Sequence, residues 1–214
     1  MGLPINVRAA VVDILTDRPQ TDDIFLVDTN VWVWQTYSNA AASSRIAAQK
    51  IREYTTYLKR TLDSDATLAY SSLILSELAF VIEKTECNIF NRRNKARLKT
   101  KEFRHKCVLE RKNVVAEVQA AWAQVKAIAI PLPVTIDEGL TDSALDRYAS
   151  QALDGYDLFI LESMYRSGSG QVKVITDDID YIGVPDIQVF TANPQALEIA
   201  ERQSRLLDRK LSSQ

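Results

Sequence analysis

A buried parallel strand is predicted near the amino end of the chain by the stretch Ile24-Phe25-Leu26-Val27-Asp28-Thr29-Asn30, in which four apolar residues are followed by three polar ones. A continuous apolar run of this length is typical of a strand that is covered on both faces. The stretch Val172-Lys173-Val174-Ile175-Thr176-Asp177-Asp178 has a similar arrangement further along the chain. Because ligands of parallel sheets gather at the carboxyl ends of the strands, both stretches are predicted to bring aspartates to that edge.

Strands and helices are predicted to alternate along the rest of the chain. Further strands are expected over Thr67–Tyr70 and Ile187–Phe190, and an edge strand or extended connector over Ile128–Val134. The predicted helices cover Ala40–Leu62, Leu73–Lys84 (with Ser71-Ser72 as its N-cap), the basic stretch continuing to Ile128, Thr141–Gln151, Asp154–Tyr165 and Gln195–Leu211. This alternation predicts a three-layer α/β/α fold with a mostly parallel central sheet. We expect residues 24–193 to form the domain, residues 1–23 to be an N-terminal extension and residues 194–214 to contain an amphipathic helix.

Composition excludes several classes of site. The chain has 214 residues, of which 46% are hydrophobic and 25% charged, as in an ordinary globular protein. Cys87 and Cys107 have no partners at metal-ligand spacing and are expected to be reduced thiols of a cytoplasmic protein. The single histidine, His105, excludes a histidine-rich zinc site. We expect neither a secretory signal nor a membrane-spanning segment.

The charges are unevenly distributed. Residues 91–113 contain ten lysines and arginines and two acids, a net charge of +8, which leaves −10 for the rest of the chain. This basic arm is predicted to contact the phosphate backbone of a nucleic acid. A solvated helix face and a docking surface for an acidic protein are the alternatives. The candidate nucleic-acid-binding residues are Arg92, Arg93, Lys95, Arg97, Lys99, Lys101, Arg104 and Lys106, with Arg111 and Lys112 in the same run.

Acids also occur inside strongly apolar segments. Glu77 lies in Leu73-Ile74-Leu75-Ser76-Glu77-Leu78-Ala79-Phe80, which predicts a buried helix, and Asp157 precedes Leu158-Phe159-Ile160-Leu161. Buried carboxylates are costly unless a cation or several donors compensate them. Taken singly, each acid also has a purely structural interpretation. Asp28 would end a strand, and Glu77 would occupy a partly exposed helix position. Asp157 would be a first-turn acid after an Asp154 N-cap, and Asp177, Asp178 and Asp180 would be turn residues. Together with Asp28 and Asp178, these acids predict an oxygen-only site for Mg²⁺ or Mn²⁺.

Four stretches, taken in order, resemble the motifs of the PIN domain family, most closely the toxin ribonucleases of VapBC-type toxin–antitoxin pairs. They are Phe25–Val31, Ser71–Leu78, Asp154–Leu161 and Val174–Tyr181. The resemblance implies a Mg²⁺- or Mn²⁺-dependent endoribonuclease whose metal-binding acids are Asp28, Glu77, Asp157, Asp178 and Asp180. It implies supporting polar roles for Asn30 and Thr176, and catalytic roles for Asp28, Glu77, Asp157 and Asp178.

The resemblance also implies partners. Proteins of this family often act as dimers, and the toxins are paired with an antitoxin. This chain is longer than the compact toxin pattern, because 79 residues (78–156) separate the acid of the second motif, Glu77, from that of the third, Asp157, and both ends are extended. Two other functions are open at this point: a non-catalytic PIN-like module that binds RNA or protein, and a phosphotransferase that uses Asp28 as a phosphoryl acceptor. The phosphotransferase pattern requires a second aspartate where this chain has Asn30.

Overall fold

The computed structural model describes residues 5–43, 45–168 and 170–209. In the described part of the chain, six strands form one sheet: β1 (Ala10–Asp13), β2 (Ile24–Val27), β3 (Thr67–Ser71), β4 (Ile130–Leu132), β5 (Val172–Ile175) and β6 (Ile187–Thr191). Their order across the sheet is β1-β6-β5-β2-β3-β4, and every neighbouring pair is parallel. The chain leaves β2 towards β3 and β4 on one side and later returns to β5 and β6 on the other. The gap between the ends of β2 and β5 is therefore the topological switch point, where ligands of such sheets bind.

Eight α-helices connect or follow the strands within the described residues. They are α1 (Thr29–Thr36), α2 (Arg45–Asp63), α3 (Ile74–Asn94), α4 (Thr100–Lys106), α5 (Val108–Ile128), α6 (Glu138–Ser150), α7 (Gly155–Arg166) and α8 (Pro194–Arg202). Short 3₁₀ helices cover Ala40–Ser43 and Ile179–Gly183. None of the helices in these ranges is long and apolar enough to cross a membrane.

The central strand β2 shows why the fold has three layers. Its consecutive residues Phe25, Leu26 and Val27 are all fully buried, although neighbouring residues of a strand point to opposite faces. Both faces of the sheet are therefore covered by helices, as the continuous apolar run predicted. The predicted fold class, α/β/α with a mostly parallel sheet, is confirmed.

Both ends of the described chain differ from the sequence prediction. The predicted N-terminal extension contains β1, which pairs with β6 and lies at one end of the sheet's strand order; residues 1–4 lie outside the described part. The helix predicted over Gln195–Leu211 ends at Arg202, and Leu211 is also outside that part. After the helix, Ser204 takes a positive φ of 56° and the backbone turns. The Leu207 amide then donates to the Val11 carbonyl, so tertiary pairing with β1 replaces further helix.

Three helix predictions also need correction. The basic stretch does not continue as one helix to Ile128, because α3 ends at Asn94 and breaks at residues 95–99 and at Cys107 separate α3, α4 and α5. Helix α1, directly after β2, was not predicted. Most of its residues are buried, so apolar and polar residues do not alternate at helical spacing in its sequence. Helix α3 was predicted to be buried on nearly all sides, but Phe80 is 53% exposed. Its buried face is formed by Ile74, Leu78 and Ile82. Its N-cap is Leu73, which makes no side-chain capping bond, instead of Ser71 or Ser72.

Buried acids at the amino ends of the central strands are neutralised by buried bases. Asp23, which is fully buried just before β2, accepts from both Arg209 Nη1 (2.8 and 2.9 Å) and Lys173 Nζ. Arg209 also donates to both carboxylate oxygens of Asp17, at 2.8 and 2.9 Å. This network ties the end of the described chain to β2 and β5.

Replacing Asp23 with alanine should lower the free energy of unfolding by about 3–5 kcal/mol, because Arg209 and Lys173 would each lose a buried partner. The matched control is Asp22→Ala, since Asp22 is the exposed neighbour and should change stability by less than about 0.5 kcal/mol. Urea unfolding of the two variants measures both values. Equal stability of the two would contradict a structural role for the network.

Candidate acidic active site

Asp28 lies at the carboxyl end of β2 and is the N-cap of α1. Its side chain is 4% exposed and accepts two short hydrogen bonds, each 2.6 Å long. The donors are the backbone N–H of Thr29, to Oδ1, and the Thr176 hydroxyl, to Oδ2. Thr176 directly follows β5, so this bond joins the ends of the two strands at the switch point.

Two threonines extend this contact into a row of acids. The Thr29 hydroxyl donates to Glu77 Oε2 at 2.5 Å, which links α1 to the first turn of α3. On the other side, the Asp178 amide donates to the Thr176 hydroxyl at 2.9 Å. Thr29 therefore joins Glu77 and Asp28, through its hydroxyl and its amide, and the Thr176 hydroxyl joins the Asp28 carboxylate to the backbone of Asp178.

Asp157 reaches the same region from helix α7. It is 7% exposed, and its Oδ1 accepts from the hydroxyl of Tyr181 at 3.0 Å. Tyr181 is fully buried in the 3₁₀ helix whose N-cap is Asp178, so it connects Asp157 to the end of β5. Asp154 is the N-cap of α7 and accepts from the amides of Tyr156 and Asp157.

The acids raise one another's pKa. Burial raises the pKa of Asp28 to about 7, and the Glu77 and Asp178 carboxylates add to this, against the hydrogen bonds from Thr176 and Thr29. Burial also raises the pKa of Asp157 to about 8, with contributions from Asp28, Asp154 and Glu77. The pKa of Glu77 and that of Asp180 are raised as well, mainly by burial and then by neighbouring carboxylates. Mutual shifts of this kind show that the acids share one electrostatic environment.

A positive charge is missing from this cluster in the described residues. The salt bridges between them leave out Asp28, Glu77, Asp154, Asp157, Asp178 and Asp180. In addition, the Asn30 side-chain oxygen is buried and accepts no hydrogen bond. Oxygen donors with uncompensated negative charge fit a hard divalent cation such as Mg²⁺ or Mn²⁺.

The cluster is nevertheless not a finished coordination shell. Across the described ranges, no group of three or more acidic, histidine or cysteine side chains is arranged to hold a metal ion. The fit to a divalent cation is therefore one of donor chemistry and charge.

Asp177 and two of the candidate nucleic-acid-binding residues have intramolecular partners outside the cluster. Asp177 pairs with Lys50 and accepts from the Tyr54 hydroxyl at 3.0 Å, so it is a structural acid. Arg104 forms a bidentate pair with Glu83, which is 3% exposed, and Lys106 pairs with Glu102. These two bases of the arm have intramolecular partners.

Three residues of the site were not assigned from the sequence. Thr29 bridges Asp28 and Glu77, Tyr181 holds Asp157, and Asp154 adds another carboxylate. A hydroxyl residue directly after the strand-end acid was a usable signal for Thr29. The contact between Tyr181 and Asp157 depends on tertiary packing across 24 residues, which sequence periodicity does not show.

Comparison with known proteins gives a structural likeness. No protein-family model and no curated protein matches the chain. A chain in the crystal structure of VapBC2 from Rickettsia felis bound to a DNA fragment from their promoter is similar, with 13% sequence identity and a TM-score of 0.43. The match covers 78% of this chain and 98% of that one. A similarity this low does not indicate a shared activity, so the function of this chain is argued from its own residues.

Asp28→Asn should stabilise the protein at alkaline pH when divalent cations are absent. Because the pKa of Asp28 is raised on folding, the folded chain binds the proton more tightly, and the free energy of unfolding falls as the pH rises from about 4 towards about 7. Asparagine does not ionise and removes this loss. Stability should therefore rise at about pH 8, by on the order of 1–3 kcal/mol, with little gain near pH 4.

The control for this measurement is Asp22→Asn, which makes the same chemical change at an exposed position. Urea unfolding in EDTA at both pH values gives the comparison. A loss of stability in Asp28→Asn at both pH values would show that its hydrogen bonds outweigh the charge repulsion.

Proposed function

We propose that this chain is a metal-dependent endoribonuclease, which hydrolyses RNA phosphodiester bonds at the acidic cluster. The observation that carries the proposal is the hydrogen-bonded row from Glu77 through Asp28 to Asp178, beside buried Asp157, without a compensating base in the described residues. The order of the four PIN-like motifs along the chain supports the same reaction.

The proposed metal ligands are Asp28, Glu77, Asp157, Asp178 and Asp180, with Asn30 as a further oxygen donor. Bound Mg²⁺ or Mn²⁺ would supply activation of the attacking water and stabilisation of the leaving oxygen. The chain's own groups position the acids: the Thr29 hydroxyl holds Glu77, and the Thr176 hydroxyl holds Asp28. Tyr181 orients Asp157 by donating to Oδ1, which leaves Oδ2 for a ligand.

Substrate binding is proposed for the exposed cations of the basic arm. Arg92, Arg93, Lys95, Arg97, Lys99 and Lys101 are all exposed, in contrast to the paired Arg104 and Lys106. Contacts of such residues with phosphates are largely independent of sequence. Binding of an antitoxin and binding of a second copy of the chain are predicted from the motif resemblance.

Cleavage of mixed RNA and DNA substrates in Mg²⁺, Mn²⁺ or EDTA tests the proposal. We expect RNA cleavage with either metal and none in EDTA. Asp157→Asn should reduce cleavage by more than the roughly 10–100-fold that is typical of changes around a metal ligand. Asp22→Asn should cleave as the wild type does. Metal-dependent RNA binding without cleavage would favour the non-catalytic module instead.

A further inference from the structure

An exposed row of side chains runs along helix α3 from the acidic cluster to the basic arm. It consists of every fourth residue, Ser76, Phe80, Lys84, Asn88 and Arg92, and all five are exposed. Residues four apart on a helix are neighbours and form a continuous ridge on its surface. This α3 ridge begins beside Glu77 and spans about 24 Å along the helix axis, at 1.5 Å per residue.

The chemistry of the α3 ridge suits a single-stranded nucleic acid. Phe80 is 53% exposed, so one face of an aromatic ring is open to a ligand. The Lys84 ammonium lies 5.9 Å from the centre of the Phe80 ring, so an aromatic surface and a positive charge are side by side. Base stacking on an aromatic ring next to a cation that contacts the backbone is the general mode of single-strand binding. The α3 ridge contains no acid.

The far end of the α3 ridge joins a rigid cluster of cations. Residues 91–101 contain six bases and no acid; we name them the basic tip. Asn91 fixes the loop of the basic tip, because its side chain donates to the Leu98 carbonyl at 2.9 Å and accepts from the Leu98 amide at 3.0 Å. Phe90 and Phe103 pack together beneath it, with ring centres 5.5 Å apart. No carboxylate in the described part of the chain forms a salt bridge with the six bases.

We infer that the α3 ridge and the basic tip form one binding track for single-stranded RNA, which rests on the proposed nuclease function. Phe80 stacks on an unpaired base close to the acidic cluster, and Lys84 and Arg92 contact phosphates further along. The basic tip then binds the strand at the far end. At 3.4 Å per stacked nucleotide, the track covers about seven nucleotides.

Binding of a fluorescent single-stranded RNA of about 20 nucleotides, measured in EDTA at several salt concentrations, tests the track. Phe80→Ala should weaken binding roughly 5- to 100-fold and leave the salt dependence unchanged, because stacking releases no counterions. Phe80→Tyr should restore the affinity. The matched control is Tyr148→Ala, which removes an aromatic side chain that is 64% exposed on α6.

Neutralising the basic tip should lower the salt dependence of RNA binding, which Phe80→Ala should leave unchanged. Changing Arg92, Arg93, Lys95 and Arg97 to glutamine should reduce the logarithmic salt slope by about 0.7 for each phosphate contact that is lost. The charge-matched control changes Arg8, Arg18, Lys59 and Lys126, which are exposed outside the arm. Double-stranded RNA should show no dependence on Phe80, since its bases are already stacked.

The outcomes separate the two proposals. Unchanged affinity and slope in both variants, or no binding of RNA by the wild type, would overturn the track. Retention of RNA binding in both variants together with loss of a co-purifying acidic protein would assign the surface to a protein partner and would also overturn it. Binding that depends on Phe80 and the basic tip, without cleavage in Mn²⁺, would support the track and overturn the nuclease function alone.

Discussion

The buried negative charge at the switch point of the sheet is the constraint on which the rest of the site depends. Asp28 and Asp157 are nearly inaccessible to solvent, and both have a raised pKa, first because they are buried and then because other carboxylates lie near them. The hydrogen bonds to Asp28, Glu77 and Asp157 come from donors that carry no charge: two threonine hydroxyls, one backbone amide and one tyrosine hydroxyl. These donors fix the positions of the acids while leaving their charge uncompensated. We propose that a divalent cation compensates this charge.

The same chain neutralises its other buried acids with bases. Asp23 pairs with Arg209 and Lys173, and Glu83 pairs with Arg104 and Arg111. The hydrogen bonds from Arg104 hold the pKa of Glu83 below its usual value. Among the buried acids of the described residues, Asp28 and Asp157 are therefore an exception, since neither forms a salt bridge with a base. Since unpaired buried charge costs stability, this exception is better explained by function than by folding.

Much of this arrangement could be predicted from local sequence. An apolar run that ends in an acid predicted β2 with Asp28 and β5 with the acids that follow it, because a buried strand and its polar end are encoded by adjacent residues. Features set by distant contacts could not be predicted. The pairing of Arg104 with Glu83 joins two helices, the strand β1 depends on β6, and the end of α8 depends on Val11. Helix α1 was missed for a related reason, since burial on most sides removes the helical periodicity of its residues.

The most direct test of the central claim is a crystal structure of the protein soaked in Mn²⁺, with anomalous diffraction measured at a wavelength where manganese scatters. We predict an anomalous peak bounded by oxygen atoms of Asp28, Asp157 and at least one of Glu77 and Asp178, at distances of about 2.0–2.3 Å. The same soak of Asp28→Asn should show a weaker peak or none. A wild-type map without a peak at these acids, or with manganese bound only elsewhere on the surface, would contradict the account.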